Sequence, residues 1–196
     1  MKELAEAIAQ KGVGIGKDIV KVDGFLNHRI DVQLATSMGQ TIHHAFQDEH
    51  VDAILTVEAS GIAVAITTAQ AFDYVPVIFA KKGERNNIGR DVYSADVYSF
   101  THQQMNTIHV SRSFLHEGDR LLLVDDFLAN GEAMEGLITI ARQARCEIVG
   151  AAVCVEKGFQ EGGKRLRAEG IRVLSLAIVD AIEDGKIVLR SENETA

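Results

Sequence analysis

Apolar residues recur along this chain in two rhythms. Leu4 and Ile8 share one face of a first short helix that Gly12 ends, and Leu34, Met38, Ile42 and Phe46, each four residues from the next, give a second helix its core stripe. Asp31 is placed to cap that second helix. Residues 62–72 read as an alanine-rich helix, and residues 132–144 and the charged stretch 163–169 complete the predicted helices. Between them stand short apolar runs suited to strands buried on both faces: 53–57, 77–80 behind Pro76, 121–124, 147–155 and 172–178, with a weaker 186–189. Alternation over 92–100, returning over 107–111, predicts a hairpin. The order βαβ, hairpin, βαβαβ predicts an α/β fold with a mostly parallel sheet flanked by helices. A glycine-rich, then alternating stretch at about 13–30 predicts a small N-terminal hood carrying one edge strand, and the polar stretch at about 81–107 a flexible hairpin lid. A single domain over 1–196 is expected, with SENETA as a frayed tail.

Composition narrows this picture. With 196 residues, 46% hydrophobic and 24% charged, the chain is long enough to bury a real core. A formal net charge of −8 leaves too little concentrated Lys and Arg for general phosphate-backbone binding, so no nucleic acid is expected as a partner. The N-terminus is an amphipathic helix pattern rather than a charged segment before an apolar core, and no apolar run approaches the length of a membrane span. A cytoplasmic protein without membrane association is expected. Cys146 and Cys154 are too few for a disulfide framework and too far apart for a CxxC pair, and are expected as plain buried thiols. Adjacent His43 and His44 point in different directions on a helix, and no metal ligand set is expected.

In a parallel sheet the turns after successive strands lie along one edge, so three of them belong together. The turn Glu58, Ala59, Ser60, Gly61 offers small residues and backbone amides suited to an anion such as pyrophosphate. After 121–124 the apolar run is expected to stop at Asp125 and Asp126, followed by a small turn and a helix N-terminus, which suits a sugar bearing hydroxyls and a terminal phosphate. Glu156 to Phe159 places a cation beside an aromatic ring, suited to a planar base that stacks on Phe159 and accepts a hydrogen bond from Lys157. Taken singly, each also fits a structural part: a tight turn, an acidic strand end, a surface ion pair beside a core Phe. Together they spell an activated nucleotide precursor. Competing phosphate motifs fail on particulars: Gly12, Gly14 and Gly16 follow a helix rather than a strand, and GFQEGGK is followed by Arg165 where a P-loop needs Ser or Thr for magnesium. No partner loop supports Asp125 and Asp126 as a Walker B type metal site.

VDDFLANGEA resembles the phosphoribosyl pyrophosphate motif of type I phosphoribosyltransferases, in which an apolar strand, two acids and a small-residue turn bind the ribose and its 5-phosphate. KVDGFLNHRID at 21–31, VEASGIA at 57–63, YSADVYSFT at 93–101 and EKGFQ at 156–160 are similar, in the same order, to xanthine phosphoribosyltransferases of the bacterial purine-salvage type. The resemblance implies the type I phosphoribosyltransferase fold and transfer of a 5-phosphoribosyl group from phosphoribosyl pyrophosphate to xanthine. It further implies that Ala129, Asn130, Gly131, Glu132 and Ala133 hold the 5-phosphate, that Asp125 and Asp126 face the ribose hydroxyls, and that Glu58, Ala59, Ser60 and Gly61 line the pyrophosphate site. Lys81 and Lys82 match basic positions toward pyrophosphate; Val20, Asn27 and Lys157 match purine-contacting positions, with Phe159 placed to stack; Tyr93, Tyr98 and Ser99 fall in the lid. Magnesium carried by the donor's pyrophosphate and a homodimer are implied in the same way. Ala59 stands where the family more often has serine. Guanine or hypoxanthine as the base, or a purine-responsive regulator that keeps the pocket without catalysis, are the alternatives; the regulator is expected to need a DNA-binding domain that the acidic balance does not favour.

Overall fold

The computed structural model describes residues 1–83, 91–99 and 104–191. Helix α1 (Lys2–Lys11) precedes a two-stranded hood, β1 (Val13–Ile15) and β2 (Ile19–Lys21), which closes in a π-helical turn at Asp23–Asn27. Then follow α2 (Val32–Ala45), β3 (Ala53–Val57), α3 (Gly61–Ala71), β4 (Val77–Lys82), β5 (Val92–Ser99), β6 (Gln104–Ser111) and β7 (Arg120–Leu128). The chain ends in α4 (Glu132–Gln143), β8 (Glu147–Lys157), α5 (Gly162–Ala168), β9 (Val173–Glu183) and β10 (Lys186–Leu189). Asp31 caps α2 as its position predicts, its carboxylate accepting from Leu34 N at 3.1 Å.

One eight-stranded sheet runs β10-β9-β8-β7-β3-β4-β6-β5. From β9 through β4 the neighbours are parallel; the edges are antiparallel. Leu121, Leu122, Leu123 and Val124 at its centre are fully buried, because apolar layers cover both faces. The first layer joins Leu4 and Ile8 of α1, the hood's Val20 and Phe25, and the α2 stripe; the second joins Leu137, Ile138 and Ala141 of α4 to Leu166 of α5 and Ile108 of β6. The sheet is thus helix-covered on both sides, as the alternation of β and α patterns predicts.

Two expectations change, and the hairpin takes a definite place where it is described. The hood has two strands rather than one, and Gly14 brings it onto the sheet edge: its N–H donates to Gly185 O at 3.0 Å, and a Cβ there would lie 2.4 Å from Ile182. Strand β7 does not stop at the acids. It continues through Asp125 and Asp126 to Leu128, because Phe127 and Leu128 still pair with Val155 and Glu156 of β8. The hairpin expected as a lid is, where described, part of the sheet. Lys81 and Lys82 end β4 and pair with β6, while β5 and β6 pair from Val92↔Ser111 to Ser99↔Gln104. Tyr93 and Val97 pack against the second layer, and Gln143 of α4 exchanges hydrogen bonds with the backbone of Ser94. The alternation that predicts the strand also makes one face of it apolar, and that face needs α4 to cover it. Residues 84–90 and 100–103 of the expected lid, and 192–196 of the expected tail, lie outside the described residues.

Cys154 is buried, while Cys146 is half-buried with its thiol donating to His116 O at 3.3 Å; burial first, and Asp119 second, push it up to about 11.

Candidate active site

The carboxyl ends of β3, β7 and β8 meet, with the hood above them. After β7 the chain bends at Ala129 and Asn130 and enters α4 through Gly131, whose φ of 98° suits glycine. No side chain caps α4. Its first-turn N–H groups and the dipole behind them therefore form a cradle for an anion. Glu132 stands in this first turn; burial raises its pKa, an effect that Arg165 opposes.

Asp125 and Asp126 differ in what they meet. Asp125 lies under the turn after β3: a Cβ on Gly61 would sit 2.7 Å from its Oδ1 and 2.3 Å from Thr56 Oγ1, so only glycine lets the turn approach this closely. Its Oδ1 accepts from Asp126 N at 2.9 Å. Asp126 receives two donors from distant parts of the chain, Ser60 Oγ at 2.9 Å and Asn27 Nδ2 of the hood at 3.0 Å. One carboxylate thus ties the turn, the acid pair and the hood together. The Glu58–Ala59 peptide within the turn is cis, and Glu58 accepts from Lys82 N at 2.6 Å.

Burial, with the Asp126 carboxylate second, holds Asp125 well above the ordinary carboxylate value of 3.8. The folded protein consequently binds this proton more tightly than the unfolded chain does. Stability falls as pH rises from about 3.8 toward the raised value and carries the full penalty above it. Asp125→Asn keeps the Oδ1 acceptor and removes the charge, so it should raise the melting midpoint by roughly 2–4 °C at pH 8, with the gap shrinking toward pH 4. Thermal unfolding of both proteins across that pH range checks the sign.

On the other side of β7, Lys157 closes β8, and its Nζ donates to Asp18 O in the hood at 2.7 Å while standing 6.0 Å from the centre of the Phe127 ring. Phe127 and Phe159 both pack against the layer containing Val20, Phe25 and Leu26. Desolvation lowers the Lys157 pKa, with Asp18 opposing. An ammonium has three donors, so Lys157 can hold the hood and a ligand oxygen together.

The structure therefore gathers Glu58, Ser60, Gly61, Asp125, Asp126 and Asn27 in one place, with the 129–133 cradle following directly and Val20, Lys157 and Phe159 on the hood side. It separates the two lysines. Lys82 is close enough to act on Asp125, whereas Lys81, on the opposite face of β4, stands over Phe79 with its Nζ 6.0 Å from that ring. Tyr93 lies at the packed base of the hairpin beneath the Arg112 guanidinium, Tyr98 is partly exposed farther out, and Ser99 is the last residue of β5. Sequence reasoning missed Phe127 and Asp18. An aromatic directly after two acids was a usable signal for the first; a backbone carbonyl leaves none for the second.

A strand, two acids and an anion-binding helix start, arranged on a doubly covered parallel sheet, match the phosphoribosyl transferase domain over residues 22–181, and the chain belongs to that family. Its fold is similar to that of adenine phosphoribosyltransferases of known structure. The enzyme from Giardia lamblia, complexed with 9-deazaadenine, has a TM-score of 0.73 at 19% identity, covering 89% of this chain and 96% of that one. The Rhodothermus marinus enzyme has a TM-score of 0.71 at 21% identity, covering 91% and 100%. Sequence likeness is greater to the xanthine phosphoribosyltransferases. The chain is 46% identical over 190 residues to that of Clostridioides difficile, covering 97% of this chain and all of the other. It is 48% identical over 193 residues to that of Bifidobacterium adolescentis, with 97% and 100% covered.

Proposed function

We infer that this protein is a phosphoribosyltransferase that moves the 5-phosphoribosyl group of phosphoribosyl pyrophosphate to N9 of xanthine, giving xanthosine 5′-monophosphate and pyrophosphate. The observation that carries this reading is likeness at 46–48% identity to xanthine phosphoribosyltransferases along nearly the whole of each chain. The chemistry of the strand ends supports it.

As pyrophosphate leaves, positive charge develops on the ribose ring, so the catalyst is electrostatic and positional. Ala129, Asn130, Gly131, Glu132 and Ala133 hold the 5-phosphate on the start of α4. Asp126 offers a carboxylate to the ribose, and Glu58, Ala59, Ser60 and Gly61, with Lys82, face the leaving pyrophosphate. Asn27, Val20, Phe159 and Lys157 set the base; Lys157 donates to the carbonyl at its six-position, which adenine lacks. Magnesium comes with the donor on its pyrophosphate and supplies charge to the leaving group. Residues 81–107, including Tyr93, Tyr98 and Ser99, shield the donor from water. A cytoplasmic homodimer completes the proposal; light scattering should give twice the 21.3 kDa chain mass.

Product formation with magnesium, donor and each of xanthine, guanine, hypoxanthine and adenine tests the reading. Xanthine is expected to give the highest kcat/KM. Equal efficiency with adenine contradicts the role of Lys157, and no product with any base contradicts catalysis itself.

A further inference from the structure

The stretch GFQEGGKR fails as a P-loop because Arg165 stands where a hydroxyl is needed, yet the fold brings this same stretch against the turn that precedes α4. Gly162 N donates to Ala129 O at 3.1 Å, and one guanidinium nitrogen of Arg165 donates to Asn130 O at 2.9 Å. The same nitrogen makes a short ion pair with Glu135, in the first turn of α4. The approach is close enough that a Cβ on Gly162 would lie 2.4 Å from Ala129 O and 2.7 Å from Gly131 N.

Two successive carbonyls of the turn are therefore held toward α5. In a trans peptide the carbonyl and the following N–H point in opposite directions. Fixing Ala129 C=O thus aims Asn130 N–H away from α5, and fixing Asn130 C=O does the same for Gly131 N–H. Among the described residues neither amide donates to a protein acceptor. Arg165 also offsets the Glu135 carboxylate, which would otherwise repel an anion at the start of α4.

We infer that Arg165 and Gly162 are positioning residues: they orient the Asn130 and Gly131 amides toward the donor's 5-phosphate without touching it. The inference rests on the assignment of 129–133 as the 5-phosphate cradle. It makes a distinction inside one substrate, because pyrophosphate lies against a different turn, 58–61, which α5 does not brace.

The experiment compares wild type, Arg165→Met and Arg165→Lys by calorimetric titration with ribose 5-phosphate and, separately, with magnesium pyrophosphate, alongside steady-state kinetics. In Arg165→Met, ribose 5-phosphate affinity should fall about tenfold and KM for the donor rise by a similar factor. Pyrophosphate affinity and KM for xanthine should stay within about twofold. Arg165→Lys, which can still reach Asn130 O with one donor, should recover part of the loss. Gly162→Ala gives a second route to the same signature, since its methyl pushes on the turn without altering charge. Equal weakening of both ligands, or no weakening of ribose 5-phosphate, overturns the brace while leaving the cradle assignment standing. Wild-type protein that does not bind ribose 5-phosphate overturns the cradle assignment and the brace with it.

Discussion

Asp126→Asn should lower kcat by about two to three orders of magnitude while leaving the melting midpoint within a few degrees of wild type. The two expectations together make the substitution informative. Asp126 is buried and accepts from Ser60 Oγ and Asn27 Nδ2. An asparagine turned with its oxygen toward Asn27 and its amide toward Ser60 preserves both contacts, because a hydroxyl also accepts. What disappears is the charge, and charge near the ribose matters most when the ring becomes cationic. KM for the donor should therefore move less than kcat. Rapid-quench measurement of the chemical step, with unfolding followed in parallel, decides the matter. A variant with normal kcat would mean that Asp126 only ties the hood to the turn.

Lys157→Met should lower kcat/KM for xanthine about a hundredfold and leave KM for phosphoribosyl pyrophosphate unchanged. Methionine keeps the length of the stem and its packing near Phe127, so the lost element is the donor. A half-buried ammonium hydrogen bonding to a ligand carbonyl is worth roughly 1.5–3 kcal/mol, and removing it leaves that oxygen unpaired in the pocket. The variant also loses the contact to Asp18 O, which secures the hood. Donor kinetics separate the two effects, since a loosened hood would also free Asn27 from Asp126 and disturb the ribose side. Desolvation lowers the Lys157 pKa from 10.5, so the alkaline fall in xanthine turnover should begin earlier than for an ordinary lysine and should vanish in Lys157→Met. A pH profile of both enzymes with xanthine checks it. Retention of full xanthine efficiency would remove Lys157 from base recognition.

The elements were legible in the sequence because their signals are local. The stripe of Leu34, Met38 and Ile42 marks α2, and the four-residue run at 121–124 marks the buried centre of β7, since each depends only on period and neighbours. The place where β7 ends was not legible. Two adjacent carboxylates read as a stop, but the pairing of Phe127 and Leu128 with β8 carries the strand past them. How the hairpin is anchored was not legible either: docking of Tyr93 and Val97 beneath α4 depends on an element that lies later in the chain.

In the site, the sequence alone determined which chemical groups are available and roughly where they stand on the sheet: the acids after an apolar run, the small turn before a helix, the lysine closing a strand. Tertiary structure decided which of them meet. Asn27 and Asp126 are 99 positions apart, and Lys157 and Asp18 139 apart, so neither contact follows from spacing. Alternation puts Lys81 and Lys82 on opposite faces of β4, but only the packing of β4 into the sheet decides that the Lys82 side is the one near Asp125 while Lys81 stands over Phe79. Arg165, which as sequence only spoils a P-loop, acquires a partner at Asn130 through packing of α5 against the turn. The physical reason is common to all four. Local periodicity fixes which way a side chain leaves its own element, but the free energy that brings two elements together is the burial of apolar surface across the whole chain, and that sum is not written at any one position.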